Sequence, residues 1–167
     1  MSAPTEIAFD LVDHHGTPVD ADSYRGDWLL VQFGFTACRV VCPRALAKLG
    51  EALERVGEHA RLRPLYVTVD PERDTPAVLR TFLAASSPRF TGLTGTPEQV
   101  ETAKRAFRVF ARRRPDPDDP DGYAVPHTAM TYLVGPDRRL ARHWPDTADA
   151  ATIAADLAAA LTAAPAR

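Results

Sequence analysis

The chain has 167 residues, 45% of them hydrophobic, with 20 Lys and Arg against 22 Asp and Glu for a formal net charge of -2. That length and apolar content predict one globular domain over residues 1–167 whose core needs no disulfide staples, and two cysteines are too few for a multi-bridge scaffold. The balanced charge, with no RNP, zinc-finger or P-loop pattern, argues against a nucleic-acid partner.

Met1 to Glu6 is polar and lacks the basic start and apolar stretch of roughly 7–15 residues that mark an export signal. The alanine-rich end, Ala150 to Ala164, is broken by Thr152, Asp156 and Thr162 and falls short of the roughly 20 apolar residues of a spanning helix. As written, the chain is expected to be cytoplasmic with no membrane span. An export segment upstream would instead make it extracytoplasmic and membrane-associated.

Ile7 to Val12 alternates apolar residues, His14-His15-Gly16 is a turn, and Thr17-Pro18-Val19 returns, which predicts an N-terminal β-hairpin. Trp28 to Phe35 is apolar at almost every position, as in a strand covered on both faces. After Pro43, the stripe Leu46, Leu49, Leu53 and Val56 predicts an amphipathic helix. Leu62 to Val69 reads as a second interior strand. Thr75-Pro76 is a cap followed by a first-turn proline, and Val78, Leu79, Phe82 and Leu83 are expected to face inward from the helix that follows.

A short strand near Phe90 to Leu93 precedes Thr96-Pro97, which starts a helix with the stripe Val100, Ala103, Phe107 and Phe110. Arg112 to Gly122 is so rich in charge and proline that an exposed loop is expected. Ala129 to Val134 and Leu140 to Trp144 read as a strand pair around the turn Gly135-Pro136-Asp137, and Ile153, Leu157 and Leu161 as a closing helix. The order predicts an α/β fold: a three-layer sandwich with a mixed central sheet and an N-terminal hairpin extension, the thioredoxin-like arrangement being first choice.

The only two cysteines lie four positions apart in Phe33-Gly34-Phe35-Thr36-Ala37-Cys38-Arg39-Val40-Val41-Cys42-Pro43, at a strand-to-helix junction. Pro43 favours placing Cys42 at the helix cap and Cys38 in the approach loop. Unpaired N–H groups and the helix dipole there favour anionic sulfur, lowering the thiol pKa from about 8.5. Thiolate attacks disulfides and binds soft metals. Inert core cysteines are the alternative, since free cysteine is among the most buried residue types.

Two thiolates can hold copper(I) or contribute to a zinc site, and an imidazole is the commonest further ligand. His14 and His15 sit in a turn, His59 follows a helix and His143 ends a strand. His127 lies directly before a predicted interior strand beside the thiol-bearing helix, and ligand and structural histidine both remain open for it. Asp70 falls at a strand end stopped by Pro71, with a role in orienting His127 or balancing charge set against turn stabilisation. Asp74 reads as a helix-start residue.

The cysteine segment, then Thr68-Val69-Asp70-Pro71-Glu72-Arg73-Asp74-Thr75-Pro76, then His127-Thr128-Ala129-Met130-Thr131-Tyr132-Leu133-Val134, resemble the Sco/SenC family, in the family's order. The resemblance implies a thioredoxin-like protein that binds copper through Cys38, Cys42 and His127, with Asp70 as the nearby acidic residue. It further implies a copper metallochaperone with thiol-disulfide capability for the dinuclear copper centre of cytochrome c oxidase. Copper(I) is the favoured ion and copper(II) the alternative. The implied partner is an apo copper protein or a disulfide-bearing protein, a cytochrome c oxidase subunit among them.

Family members usually have proline and then an acidic residue after the first cysteine, where this chain has Arg39 and Val40. They commonly have Asp before the histidine, where it has Pro126, and they are usually membrane-anchored outside the cytoplasm. A metal-independent thiol-disulfide oxidoreductase or a redox sensor is the competing function.

Overall fold

The uninterrupted apolar run forms the central strand β3 (Trp28–Gly34), buried at every position after Trp28. A computed structural model describes residues 6–37, 41–59, 61–112, 114–116, 119–125 and 130–163. The other strands are β1 (Asp10–Asp13), β2 (Pro18–Asp20), β4 (Leu62–Thr68), β5 (Thr91–Thr94), β6 (Arg114–Asp116), β7 (Asp119–Ala124), β8 (Met130–Val134) and β9 (Leu140–Pro145). The α-helices are α1 (Val41–Val56), α2 (Pro76–Ser86), α3 (Pro97–Phe107) and α4 (Ala150–Ala163).

Seven strands form one sheet in the order β2-β1-β5-β4-β3-β8-β9. β3, β4 and β5 run parallel, linked by α1 and α2. The β1–β2 hairpin joins β5 antiparallel at one edge, and the β8–β9 hairpin joins β3 antiparallel at the other. This is the expected mixed sheet with its N-terminal hairpin extension.

Alternation along β3 divides the core between two faces. Leu29, Val31, Phe33 and Phe35 pack with Val100, Ala103 and Phe107 of α3. Leu30 faces the opposite side, which is filled by Leu46, Leu49 and Leu53 of α1, Leu79 and Leu83 of α2, and Ile153 and Leu157 of α4. Both faces are thus covered, which accounts for a near-continuous apolar run in place of polar alternation.

The two Thr-Pro pairs start their helices as expected. The Thr75 side chain accepts from the Val78 N–H with Pro76 in the first turn, and Thr96 forms a reciprocal capping box with Gln99. Each such cap is worth about 1 kcal/mol.

Four expectations are corrected. α1 begins at Val41, so Cys42 belongs to its first turn and not to its cap. Pro43 is tolerated there because first-turn N–H groups lack intrahelical partners in any case. α3 stops at Phe107, where Arg108 enters the left-handed region at φ 57°, and Phe110 leaves the helical stripe to stand 79% exposed.

On α2 only Leu79 and Leu83 are fully inward; Val78 is exposed, and Phe82 is half-buried with its ring 5.9 Å from that of Tyr66. Finally, the segment expected as a loop from Arg112 to Gly122 contains an antiparallel ribbon, β6 pairing with β7. Pro115 is compatible with it because each strand of a two-stranded ribbon has one edge that pairs with nothing in the ladder. No helix among the described residues is long and apolar enough to cross a membrane.

Candidate functional site

The strand ends that flank the candidate segments lie together at one end of the sheet because of how β8 is oriented. β3 and β8 run antiparallel with Gln32 opposite Thr131, so the C-terminal end of β3 and the N-terminal end of β8 lie side by side. β4, parallel to β3 with Thr68 opposite Gly34, brings its own C-terminal end to the same place. The cysteine segment follows β3, the Asp70 to Asp74 turn follows β4, and the histidine segment precedes β8. Carboxyl ends of parallel strands are where α/β sheets build sites.

Cys38 and His127 lie outside the described residues, and Cys42 is placed by its backbone in the first turn of α1. Their described neighbours are Ala37, exposed beyond β3, and Val125, 4% exposed two residues before His127. Among the described residues no group of three His, Cys, Asp or Glu side chains could hold a metal ion.

The other histidines belong elsewhere. The His14 ring accepts from the Gly92 N–H at 3.0 Å, toward the start of β5 and so at the opposite end of the sheet. Burial, then the neighbouring His15, holds its imidazole below the ordinary value. His59 precedes β4 at that same far end, and His143 is exposed on the edge strand β9.

Asp70 is 2% exposed, with its carboxylate paired to the Arg73 guanidinium and its N–H bound to the Thr68 hydroxyl at 2.9 Å. The guanidinium lies 5.9 Å from the centroid of the Phe35 ring, which ties this turn to the exit of β3. Asp70 and Val125 both line a cleft of about 190 Å³ with Glu72, Val100, Glu101 and Lys104. Asp70 thus lies at the end of the sheet from which the cysteine segment departs and shares a cleft with the residue two before His127.

Asp74 does more than begin a helix. It is fully buried and accepts from the Thr36 N–H at 3.0 Å, the Thr36 hydroxyl at 2.5 Å and the Thr68 hydroxyl at 2.7 Å. Burial pushes its carboxyl above the ordinary value, with the Thr36 and Thr68 hydrogen bonds acting against that rise. The sequence signal for this role was thin: two threonines, one at each strand exit, and a second acid four residues after Asp70.

The family model described as SCO1/SenC matches residues 2–162. The chain belongs to the SCO1/SenC family. It is 39% identical over 154 residues to the mitochondrial SCO1 homolog of Mus musculus, covering 90% of this chain and 54% of that protein. The chain thus spans about half the length of the curated mitochondrial SCO1 relatives it matches.

Yeast Sco1 with copper bound superposes with a TM-score of 0.85 at 30% identity, covering 98% of this chain and 92% of that one. BsSco, a member of the Sco family of cytochrome c oxidase assembly proteins in which a disulfide switch has been identified, superposes with a TM-score of 0.73 at 25% identity, covering 98% and 99%. The fold of this SCO1/SenC protein is accordingly thioredoxin-like, a mixed α/β sheet covered by helices on both faces.

Proposed function

We propose that this SCO1/SenC protein is a copper metallochaperone with thiol-disulfide capability, in which Cys38, Cys42 and His127 hold the ion and Asp70 stands beside them. The observation that supports the reading is the antiparallel pairing of β3 with β8, which sets the end of the strand before the cysteine segment beside the start of the strand after the histidine segment. Two thiolates and one imidazole are a soft donor set of low coordination number, which suits copper(I). Kinship with copper-bound Sco structures supports the same cargo.

Copper is here the cargo. The reduced thiols release protons as they take the ion up, since thiolate is the ligating form. Oxidation of the pair to a disulfide removes both sulfur donors, so metal loading and the disulfide exclude each other. A recipient with an apo copper site, a cytochrome c oxidase subunit among the candidates, then takes the ion by ligand exchange. The BsSco disulfide switch supports a second use of the same thiols, attack on a partner disulfide and resolution of the mixed intermediate.

Titration of the reduced protein with copper(I) against a competing chelator tests the assignment. One tight site is expected, weakened by each of Cys38→Ser, Cys42→Ser and His127→Ala. Undiminished binding in all three variants rejects it. If disulfide exchange survives in His127→Ala while no copper binds to the wild type, the protein is an oxidoreductase and not a chaperone.

A further inference from the structure

Asp74 stands outside the donor set, yet its buried carboxylate is committed to the segment leading into the first thiol. Thr36, two residues beyond the end of β3, gives it both a backbone N–H and a hydroxyl. Thr68, the last residue of β4, gives it a second hydroxyl at 2.7 Å. The Thr94 hydroxyl, at the end of β5, donates to the Asp74 carbonyl at 2.8 Å, and the Asp74 N–H donates to the Asp70 carbonyl at 2.9 Å. One residue therefore joins the exits of three adjacent parallel strands. All of these partners are local to the same end of the sheet, and the N-cap of α2 is the next residue, Thr75.

We propose that Asp74 is a positioning residue for the Cys38 and Cys42 pair: by holding Thr36, two residues before Cys38, it fixes the course of the chain out of β3 and restrains the approach of one thiol to the other. The inference rests on reading Cys38 and Cys42 as a working dithiol. A disulfide accepts Cα separations of only about 4.4–6.8 Å. Freeing an anchored segment spreads the first thiol over more positions and lowers its effective concentration at the second. The loosened pair is then harder to close.

The closing reaction with glutathione disulfide is balanced: the two protein thiols give up two electrons and two protons, one intramolecular S–S bond forms, and the glutathione S–S bond breaks to two thiols. The reduced protein is equilibrated with glutathione redox mixtures and the free thiols are counted by alkylation. Thr36→Val and Asp74→Ala are expected to shift the equilibrium toward the dithiol by about tenfold, or about 30 mV for a two-electron couple. Thr36→Ser and Asp74→Asn are expected to stay close to wild type. The serine keeps both donors, and the asparagine keeps its oxygen toward the Thr36 and Thr68 donors while its amide turns to the Thr36 hydroxyl, which rotates to accept.

Thr36 is only partly buried, so Thr36→Val carries the test if Asp74→Ala does not fold. An unshifted Thr36→Val overturns the proposal, as does Asp74→Asn shifting as far as Asp74→Ala, because charge and not tethering would then be at work. A wild-type pair that closes no intramolecular disulfide also overturns it. The thiol equilibrium is read without metal, so failure of the wild type to bind copper(I) sinks the chaperone reading alone.

Discussion

Gln32 of β3 and Thr131 of β8 face each other across the sheet, and the Thr131 hydroxyl donates a 2.6 Å hydrogen bond to the Gln32 carboxamide oxygen. Both residues are 5% exposed. The Gln32 amide nitrogen donates in turn to the Phe33 carbonyl at 3.2 Å. A buried polar pair of this kind is satisfied in one register only, and a slip of one residue would strand both groups in an apolar core. The pair therefore pins the strand before the cysteines to the strand after the histidine.

Thr131→Val keeps the side-chain volume and strips the donor, leaving the Gln32 oxygen without its bond inside the core. A destabilisation of about 1–3 kcal/mol is expected. Urea unfolding should show the midpoint fall with the slope unchanged. A variant as stable as the parent would mean that the register is held elsewhere.

The raised carboxyl of Asp74 has a consequence for acid stability. The folded protein binds the Asp74 proton more tightly than the unfolded chain does, so this group's contribution is fully present below the ordinary carboxylate pKa of about 4 and is lost as pH rises through the folded value. Asp74→Asn, which does not titrate, removes that fall. Melting temperatures of the two proteins followed upward from about pH 4 should show the variant gaining on wild type. A constant difference across the range would contradict the raised value.

Gly92 of β5 lies under α2, where an added Cβ would come within 3.0 Å of both Leu79 Cβ and Leu83 Cδ1. Leu79 and Leu83 are both buried, so the methyl needs a shift of a few tenths of an ångström between α2 and the sheet. Gly92→Ala should cost about 1–3 kcal/mol, the usual penalty of overpacking. Thermal unfolding measures it, and an unchanged melting temperature would show that α2 moves aside freely.

Much of the sheet and its helices can be read from local pattern, and the exceptions have physical causes. β3 is legible because both its faces are buried, and α2 and α3 because Thr-Pro marks their first turns. The β6–β7 ribbon is hidden since its Asp, Pro and Gly residues supply no apolar alternation. Phe110 fits the helical stripe on paper, but the left-handed Arg108 turns the chain before the ring can reach the core.

At the site, order and spacing of the three motif blocks place Asp70 and the flanks of the cysteines and His127 at one sheet end. The use of Asp74 is invisible to such patterns because its partner Thr36 is 38 residues away. A window that recognises a helix start sees an acid before a cap and has no means of seeing a strand exit.

The ribbon formed by β6 and β7 is a sheet of its own, outside the seven-stranded one. It occupies chain between α3 and β8, whereas β8 takes its alignment from β3 and β9. Because added loop length costs only logarithmically, this stretch can be trimmed, extended or decorated with a recognition sequence while the strand it delivers keeps its seat. The register of β8 and the course of the chain that leads to it are thus set independently of each other.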